Sequence, residues 1–235
     1  MEENFHNADE WMHMSAAPIR IILTGATGMV GEGVLHECLL SPEVEAVLSI
    51  SRKPSGIQHP KLREILHTDF FNLSSIESQL KGYNACFFCL GVSSVGMKNE
   101  MYEKLTYDLT MGFAVVLSKQ NADMVFCYIS GAGTDSTEKG KLHWARIKGK
   151  TENDLQKLPF RQAYLFRPGI IKPTKGLKNT LSFYKWAGWL LPVIQALFPK
   201  HINSLADLGK AMIRTVTRGY SKKVIEVKDI GILSR

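Results

Sequence analysis

The stretch Ile19 to Leu35, IRIILTGATGMVGEGVL, constrains the fold more than any other part of the chain. An apolar run of strand length leads into three glycines, Gly25, Gly28 and Gly31, spaced G-x-x-G-x-x-G, and an apolar-periodic helix follows directly. Gly25 permits the tight turn, Gly28 lets the backbone approach a pyrophosphate, and Gly31 lets the helix pack close to the strand. The helix N-terminus then offers free N–H groups and the positive end of its dipole to an anion, with Thr27, Met29 and Val30 beside it. The first two glycines lie one residue further apart than in the dinucleotide fingerprint G-x-G-x-x-G, but the mechanism is the same.

Strand and helix signals alternate beyond this turn, the pattern of a parallel sheet with helices on both faces. The expected strands are Ile19 to Leu23, Val44 to Ser51, Leu62 to His67, NACFFCLG, MVFCYIS and AYLFRPGII. Helices are expected over Val30 to Leu40, Ser74 to Leu80, Glu100 to Lys119 and Leu142 to Leu158. Right-handed crossovers then give an α/β fold with a doubly wound parallel Rossmann sheet, whose ligand crevice lies between the first and fourth strands. After about residue 172 the alternation weakens, leaving an apolar stretch Leu181 to Phe198, a helix Ser204 to Thr217 and a short strand at KVIEV. We read residues 172–235 as a small substrate-side cap, residues 18–235 as one nucleotide-binding domain of ordinary size, and residues 1–17 as a flexible leader.

Charge is distributed unevenly: residues 1–138 hold 9 basic and 17 acidic side chains, whereas residues 139–235 hold 20 and 5. Such asymmetry suits an anionic partner, and phosphate leads. No basic block with interleaved aromatics and no zinc-finger or RNA-binding signature is present, which argues against nucleic acid. The four cysteines, Cys38, Cys86, Cys89 and Cys127, lie in apolar segments without a disulfide framework, which points to a reducing cytoplasm. Cys86 and Cys89 are three apart on a strand and point to opposite faces, so neither redox nor metal chemistry is expected of them, and no metal site is expected elsewhere.

The end of the second strand decides between two cofactors. An acidic residue there would bind the ribose hydroxyls of NAD, but this chain has Ser51, Arg52 and Lys53. Guanidinium and ammonium groups suit a 2′-phosphate, so NADP(H) is favoured over NAD(H).

Taken in order, TGATGMVG, SRKP, HTDF, CLGV, YISGAG, WARIKGKTE and RPG resemble an atypical short-chain dehydrogenase/reductase of the NAD-dependent epimerase/dehydratase superfamily. Within it, the likeness is to the small NAD(P)-binding Tat-interacting oxidoreductase-like proteins, over about residues 18–220. The resemblance implies that Asp69, with Phe70 beside it, accepts from the adenine amino group, and that Leu90, Gly91 and Val92 line the adenosine and ribose. It further implies that Ser130 is the active-site serine that polarises a substrate oxygen, that Lys148 binds ribose, and that Pro168 and Gly169 face the nicotinamide.

One departure changes the chemistry. The family places Tyr four residues before this lysine, where lysine and the oxidised nicotinamide lower the phenol's pKa. Here that position is Trp144, whose indole has one N–H donor and no titration near neutrality. Trp144 can shape a pocket but cannot be the acid or base. His143, Tyr102, Tyr107, Asp108 and Tyr128 are the alternative proton carriers. Two readings follow: an NADP-dependent oxidoreductase or epimerase-like enzyme on a small or hydrophobic substrate, or a non-catalytic NADP(H)-sensing module that presents a surface to a partner. The stretch Leu181 to Phe198, with Trp186 and Trp189 among aliphatics, suits either a cover over an apolar substrate or contact with a membrane surface. A homodimer is left open by the long helices.

Overall fold

A computed structural model describes residues 18–174, 176–179 and 202–235. Seven parallel strands form one sheet in the order β3-β2-β1-β4-β5-β6-β9. They are β1 (Ile19–Thr24), β2 (Val44–Ser51), β3 (Leu62–Leu66), β4 (Ala85–Phe88), β5 (Val125–Ile129), β6 (Gln162–Arg167) and β9 (Val224–Glu226). The winding reverses between β1 and β4, which pair in parallel from Ile21 opposite Ala85 to Thr24 opposite Phe88. A crevice therefore opens at the carboxyl ends of these two strands, as the alternation predicts.

The strands form where β-branched and aromatic residues run together, and β4 is buried along its whole length because helices cover both faces. One face carries α1 (Met29–Leu40) and α5 (Leu205–Thr217), whose apolar residues pack with Leu23, Phe87 and Phe166. The other carries α2 (Asn99–Glu103), α3 (Leu109–Gln120) and α4 (His143–Leu155), with Phe88, Phe113 and Phe126 at its centre. A π-helical turn, Lys104–Asp108, joins α2 to α3 within the stretch expected as one helix.

The expected sixth strand stops early. Pro168 has no N–H for the ladder, so the chain leaves the sheet after Arg167 and re-forms as β7 (Ile170–Lys172), which pairs in parallel with β8 (Ile202–Ser204) in a separate two-stranded sheet.

The expected cap over residues 172–235 is corrected for its described part from residue 202 onward. Helix α5 lies against α1, β9 extends the main sheet beside β6, and α6 (Val227–Leu233) packs on α5. Two glycines explain the close helix pair. A Cβ at Gly33 would lie 2.7 Å from Leu205 Cβ, and one at Gly209 would lie 2.7 Å from Glu37 Cβ. Ser204 starts α5 with a capping box, its hydroxyl accepting from the Asp207 N–H at 3.0 Å. The expectation for Leu181 to Phe198 lies outside the described residues, as does the leader. Among the described residues no helix is long and apolar enough to cross a membrane.

Candidate nucleotide and active site

The glycine turn is built as its spacing requires. Gly25 has φ +77°, and a Cβ there would meet the Cys89 carbonyl oxygen at 2.7 Å, so only glycine lets β1 turn this close to the end of β4. A Cβ at Gly31 would lie 2.0 Å from the Gly25 carbonyl oxygen, so this glycine seats α1 on the turn. Gly28 is different: the nearest atom to its Cβ position is 3.4 Å away, and Gly28 is exposed. It is also the N-cap of α1 and leaves the first N–H groups of the helix, at Met29 and Val30, without a capping side chain.

Arg52 lines two cavities, one of which reaches this turn at Thr27. The larger, about 590 Å³, is formed by Thr27, Arg52, Lys53, Pro54, Ser55, Lys178 and Asn179. The smaller, about 210 Å³, gathers Asp69, Phe70, Leu90, Gly91 and Val92, five residues drawn from two separate loops, with Arg52 at its edge. Asp69 Oδ1 accepts the Phe71 N–H at 3.0 Å, so one oxygen shapes its own loop. Phe70 is buried and stacks on Phe113 with ring centroids 6.2 Å apart. Leu90 donates its N–H to Thr24 Oγ1 at 3.3 Å, tying the loop after β4 to the end of β1.

At the ends of β5 and β6 the polar groups satisfy one another. Ser130 is 4% exposed, and its hydroxyl donates to Glu152 and lies 3.1 Å from the Phe166 carbonyl. Glu152 is fully buried and accepts from Arg167 through both oxygens, with Nε to Oε1 at 3.0 Å. Arg167 also reaches Glu226 at 3.2 Å and donates to Ser136. The Ser130 hydroxyl, expected to polarise a substrate oxygen, is thus placed in a buried site and directs its one proton inward to Glu152. Neither Glu152 nor Arg167 stood out in the sequence as part of a site; the signal was a carboxylate four residues after Lys148, on the same helix face.

Lys148 and Trp144 stand one helical turn apart on α4 and are both half-buried. The Lys148 ammonium donates to the Ser130 backbone carbonyl. Burial lowers its pKa, opposed by the Glu152 carboxylate. Gly149, which the sequence reading passed over, brings α4 this close: a Cβ there would meet the Asp135 carbonyl oxygen at 1.8 Å. A glycine inside a helix costs about 1 kcal/mol relative to alanine, and that cost is the signal that could have flagged it. The Trp144 ring packs near Gly133, 3.4 Å from the position of a Cβ there. The Pro168 carbonyl accepts the Ala132 N–H at 2.9 Å, so Pro168 and Gly169 sit where the chain leaves the sheet, beside the loop after β5.

The alternative proton carriers are mostly spoken for. Tyr107 donates to Asp154 at 2.7 Å, a bond that holds its pKa up at about 12. Tyr102 and Tyr128 are buried, and burial raises both phenols. Asp108 is exposed at the end of the π turn, and His143 Nε2 lies 3.3 Å from the Asn99 carbonyl. The cysteines are free thiols, with Cys38, Cys86 and Cys127 buried; burial pushes Cys127 up to about 12 and also raises Cys86 and Cys89.

Comparison with known proteins adds fold and address. The chain is 30% identical over 158 residues to "Protein fmp52, mitochondrial" of Emericella nidulans, a match that covers 64% of this chain and 66% of that one, just under two thirds of its length. It is 23% identical over 219 residues to "Protein FMP52, mitochondrial" of Candida albicans, covering 88% and 90%. No family model matches. Among solved structures, the Bordetella bronchiseptica enzyme WbmF in complex with NAD+ superposes with a TM-score of 0.64 at 14% identity, over 90% of this chain and 73% of that one. The Helicobacter pylori ADP-L-glycero-D-manno-heptose-6-epimerase does so with 0.64 at 15% identity, over 93% and 82%.

The relatives' names correct the expectation of a cytoplasmic protein, since both are called mitochondrial. Cysteine usage bears on redox conditions and carries no address, which is why it misled. The fold is the Rossmann-like α/β fold of short-chain dehydrogenase- and epimerase-type enzymes.

Proposed function

We propose that this chain binds a nicotinamide adenine dinucleotide in the crevice between β1 and β4, NADP(H) in preference to NAD(H). The observation that carries this reading is the position of Arg52, on the border between a cavity that also holds Lys53 and Thr27 and a cavity that gathers Asp69, Leu90, Gly91 and Val92. Adenine fits the second, a 2′-phosphate fits the first, and the uncapped N-terminus of α1 faces the pyrophosphate. A lysine has three donors, and Lys148 spends one on the Ser130 carbonyl, which leaves two for ribose hydroxyls. When bound, the nicotinamide supplies or accepts a hydride.

What this chain does with the hydride follows from α4. Trp144 has no group that titrates near neutrality and the Ser130 hydroxyl is held by Glu152, so reduction of an ordinary carbonyl by a Ser-Tyr-Lys relay has no carrier here. The favoured reading is therefore a module that binds NADP(H) and presents its bound state to a partner. The half-buried Lys148 keeps a second reading, a hydride-only oxidoreductase on an activated small or hydrophobic acceptor that takes its proton from water.

Titration of the purified protein with NADPH and NADH tests the first statement. NADPH is expected to bind more tightly, and Arg52→Asp to reverse the preference. Binding of neither nucleotide would falsify the reading. Incubation of the NADPH complex with a carbonyl panel separates the two outcomes, since turnover by the unmodified protein makes it an enzyme. The relatives' names lead us to place this chain in mitochondria, and fractionation with cytosolic markers would refute that.

A further inference from the structure

Arg52 and Lys53 form one side of the larger cavity, and a second wall faces them. That wall comes from far away in sequence, from the short run after β7 that includes Lys178 and Asn179. A buried carboxylate holds it in place. Glu32, in the first turn of α1, is 5% exposed, and its two oxygens accept the backbone N–H groups of Lys178 at 2.8 Å and Asn179 at 2.7 Å. Such bonds to an ionised acceptor are among the stronger ones available to a backbone.

The near wall is equally constructed. The Ser51 hydroxyl donates to the Lys53 carbonyl at 2.6 Å, Glu64 accepts the Ser55 N–H at 3.0 Å, and Gly56 turns the loop with φ +72°. The Lys178 ammonium reaches across to this loop, 3.8 Å from where a Cβ on Gly56 would sit. Three cations thus line one cavity, together with two hydroxyl side chains, Thr27 and Ser55, and with no carboxylate among the described lining residues.

We infer that Lys178 is a third cation of the phosphate site and that Glu32 is the positioning residue that holds it there, so that the segment after β7 takes part in selecting the 2′-phosphorylated dinucleotide. This rests on the NADP(H) reading and extends it. A dianionic phosphomonoester gains most from three converging cations, whereas the ribose hydroxyls of NAD gain little.

Glu32 makes the inference sharp, because charge and position predict opposite signs. Removing a negative charge beside an anion site should tighten NADPH if charge alone matters. If Glu32 acts by pinning the run that carries Lys178 and Asn179, Glu32→Gln should weaken NADPH instead, since a glutamine oxygen can accept one of the two N–H groups while its NH2 opposes the other.

The experiment is calorimetric titration of the full chain and three variants with NADPH and NADH, with amide hydrogen exchange at Lys178 and Asn179 read in parallel. Lys178→Ala is expected to weaken NADPH about tenfold, the scale of one lost charge-assisted hydrogen bond, and to leave NADH within about twofold. Lys178→Arg should restore most of the NADPH affinity. Glu32→Gln should weaken NADPH and speed exchange at the two amides. If the unmodified protein binds NADPH and Lys178→Ala binds it equally well, the inference fails and the NADP(H) reading stands. Tighter NADPH binding by Glu32→Gln would remove Glu32 as a positioning residue. If the unmodified protein binds neither nucleotide, the NADP(H) reading falls and takes this inference with it.

Discussion

The carboxyl ends of β1 and β2 and those of β5 and β6 lie on either side of β4 in one sheet, yet they dispose of their charges in opposite ways. Beyond β2, Arg52 and Lys53 are exposed, border a cavity, and enter none of the ion pairs among the described residues. Beyond β5 and β6, Arg167, Glu152 and Ser130 close on one another beneath the surface, with the exposed Ser136 accepting from Arg167 at the rim. Charges already satisfied inside the protein hold structure, and charges left facing a cavity are available to a ligand. The residue types at the second region resemble those of an active site, but their partners turn the serine into part of a strut.

The largest expected effect tests that contrast directly. Glu152→Ala leaves Arg167, whose side chain is only 11% exposed, without its bidentate partner, and breaking such a buried pair costs about 3–5 kcal/mol. Arg52→Ala should change stability by less than about 0.5 kcal/mol, as at an ordinary surface position, while weakening NADPH. Urea unfolding of the two variants measures both. A mild Glu152→Ala would show that the network beyond β5 is not a strut, and the contrast between the regions would collapse.

Second in size is Gly31→Ala. The new methyl would fall 2.0 Å from a backbone oxygen, so α1 must move off the turn, at about 1–3 kcal/mol if the helix can relax and more if it cannot. NADPH affinity should fall with it, because the same displacement moves the helix N-terminus. Gly28→Ala, whose Cβ would meet no atom nearer than 3.4 Å, should leave stability nearly unchanged and reduce affinity alone. Equal stability losses in the two variants would mean that the two glycines do not divide their work between packing and ligand approach.

That division was legible in the sequence, and so was most of the sheet, because both are local. A strand run, a glycine turn and an amphipathic helix each announce themselves within about 15 residues. What stayed hidden depends on residues far apart. Glu32 meets Lys178 and Asn179 across nearly 150 positions, and Ser130, at the end of β5, meets Glu152 on α4, 22 positions on, so neither contact leaves a periodic trace. The close approach of α1 and α5 through Gly33 and Gly209 was equally silent, and without it residues 205–217 looked like part of a cap. Strand β9 was visible as a short apolar run, but its place beside β6 was not.

A smaller effect concerns pH. Burial holds the Lys148 pKa below its ordinary 10.5, against the pull of Glu152. Between the folded value and 10.5 the unfolded chain binds more protons than the folded one, so this group makes stability rise with pH in that window. Below the window the folded protein carries the full cost of a buried cation. Lys148→Met removes that cost, so its stability advantage over the unmodified protein should shrink as pH rises through the window. Denaturation midpoints of both proteins across the alkaline range measure the difference, and a constant gap would mean that Lys148 is solvated like a surface lysine.

The smallest expected effect is that of Trp144→Tyr. It returns a phenol to the position four residues before Lys148, and if that phenol were the only missing part, carbonyl turnover would follow. The arrangement beyond β5 predicts otherwise. A phenol beside Lys148 has an ammonium to lower its pKa, but the substrate oxygen would still lack the serine donor, because the Ser130 hydroxyl is directed into the buried network at Glu152. NADPH affinity should stay within about twofold, since the change keeps an aromatic ring near Gly133 and touches neither Arg52 nor the glycine turn. Oxidation of NADPH by a carbonyl panel should stay at the background rate. If the single variant turns substrate over, a serine donor is dispensable on this scaffold, and the two regions differ by one side chain rather than by the way each has settled its charges.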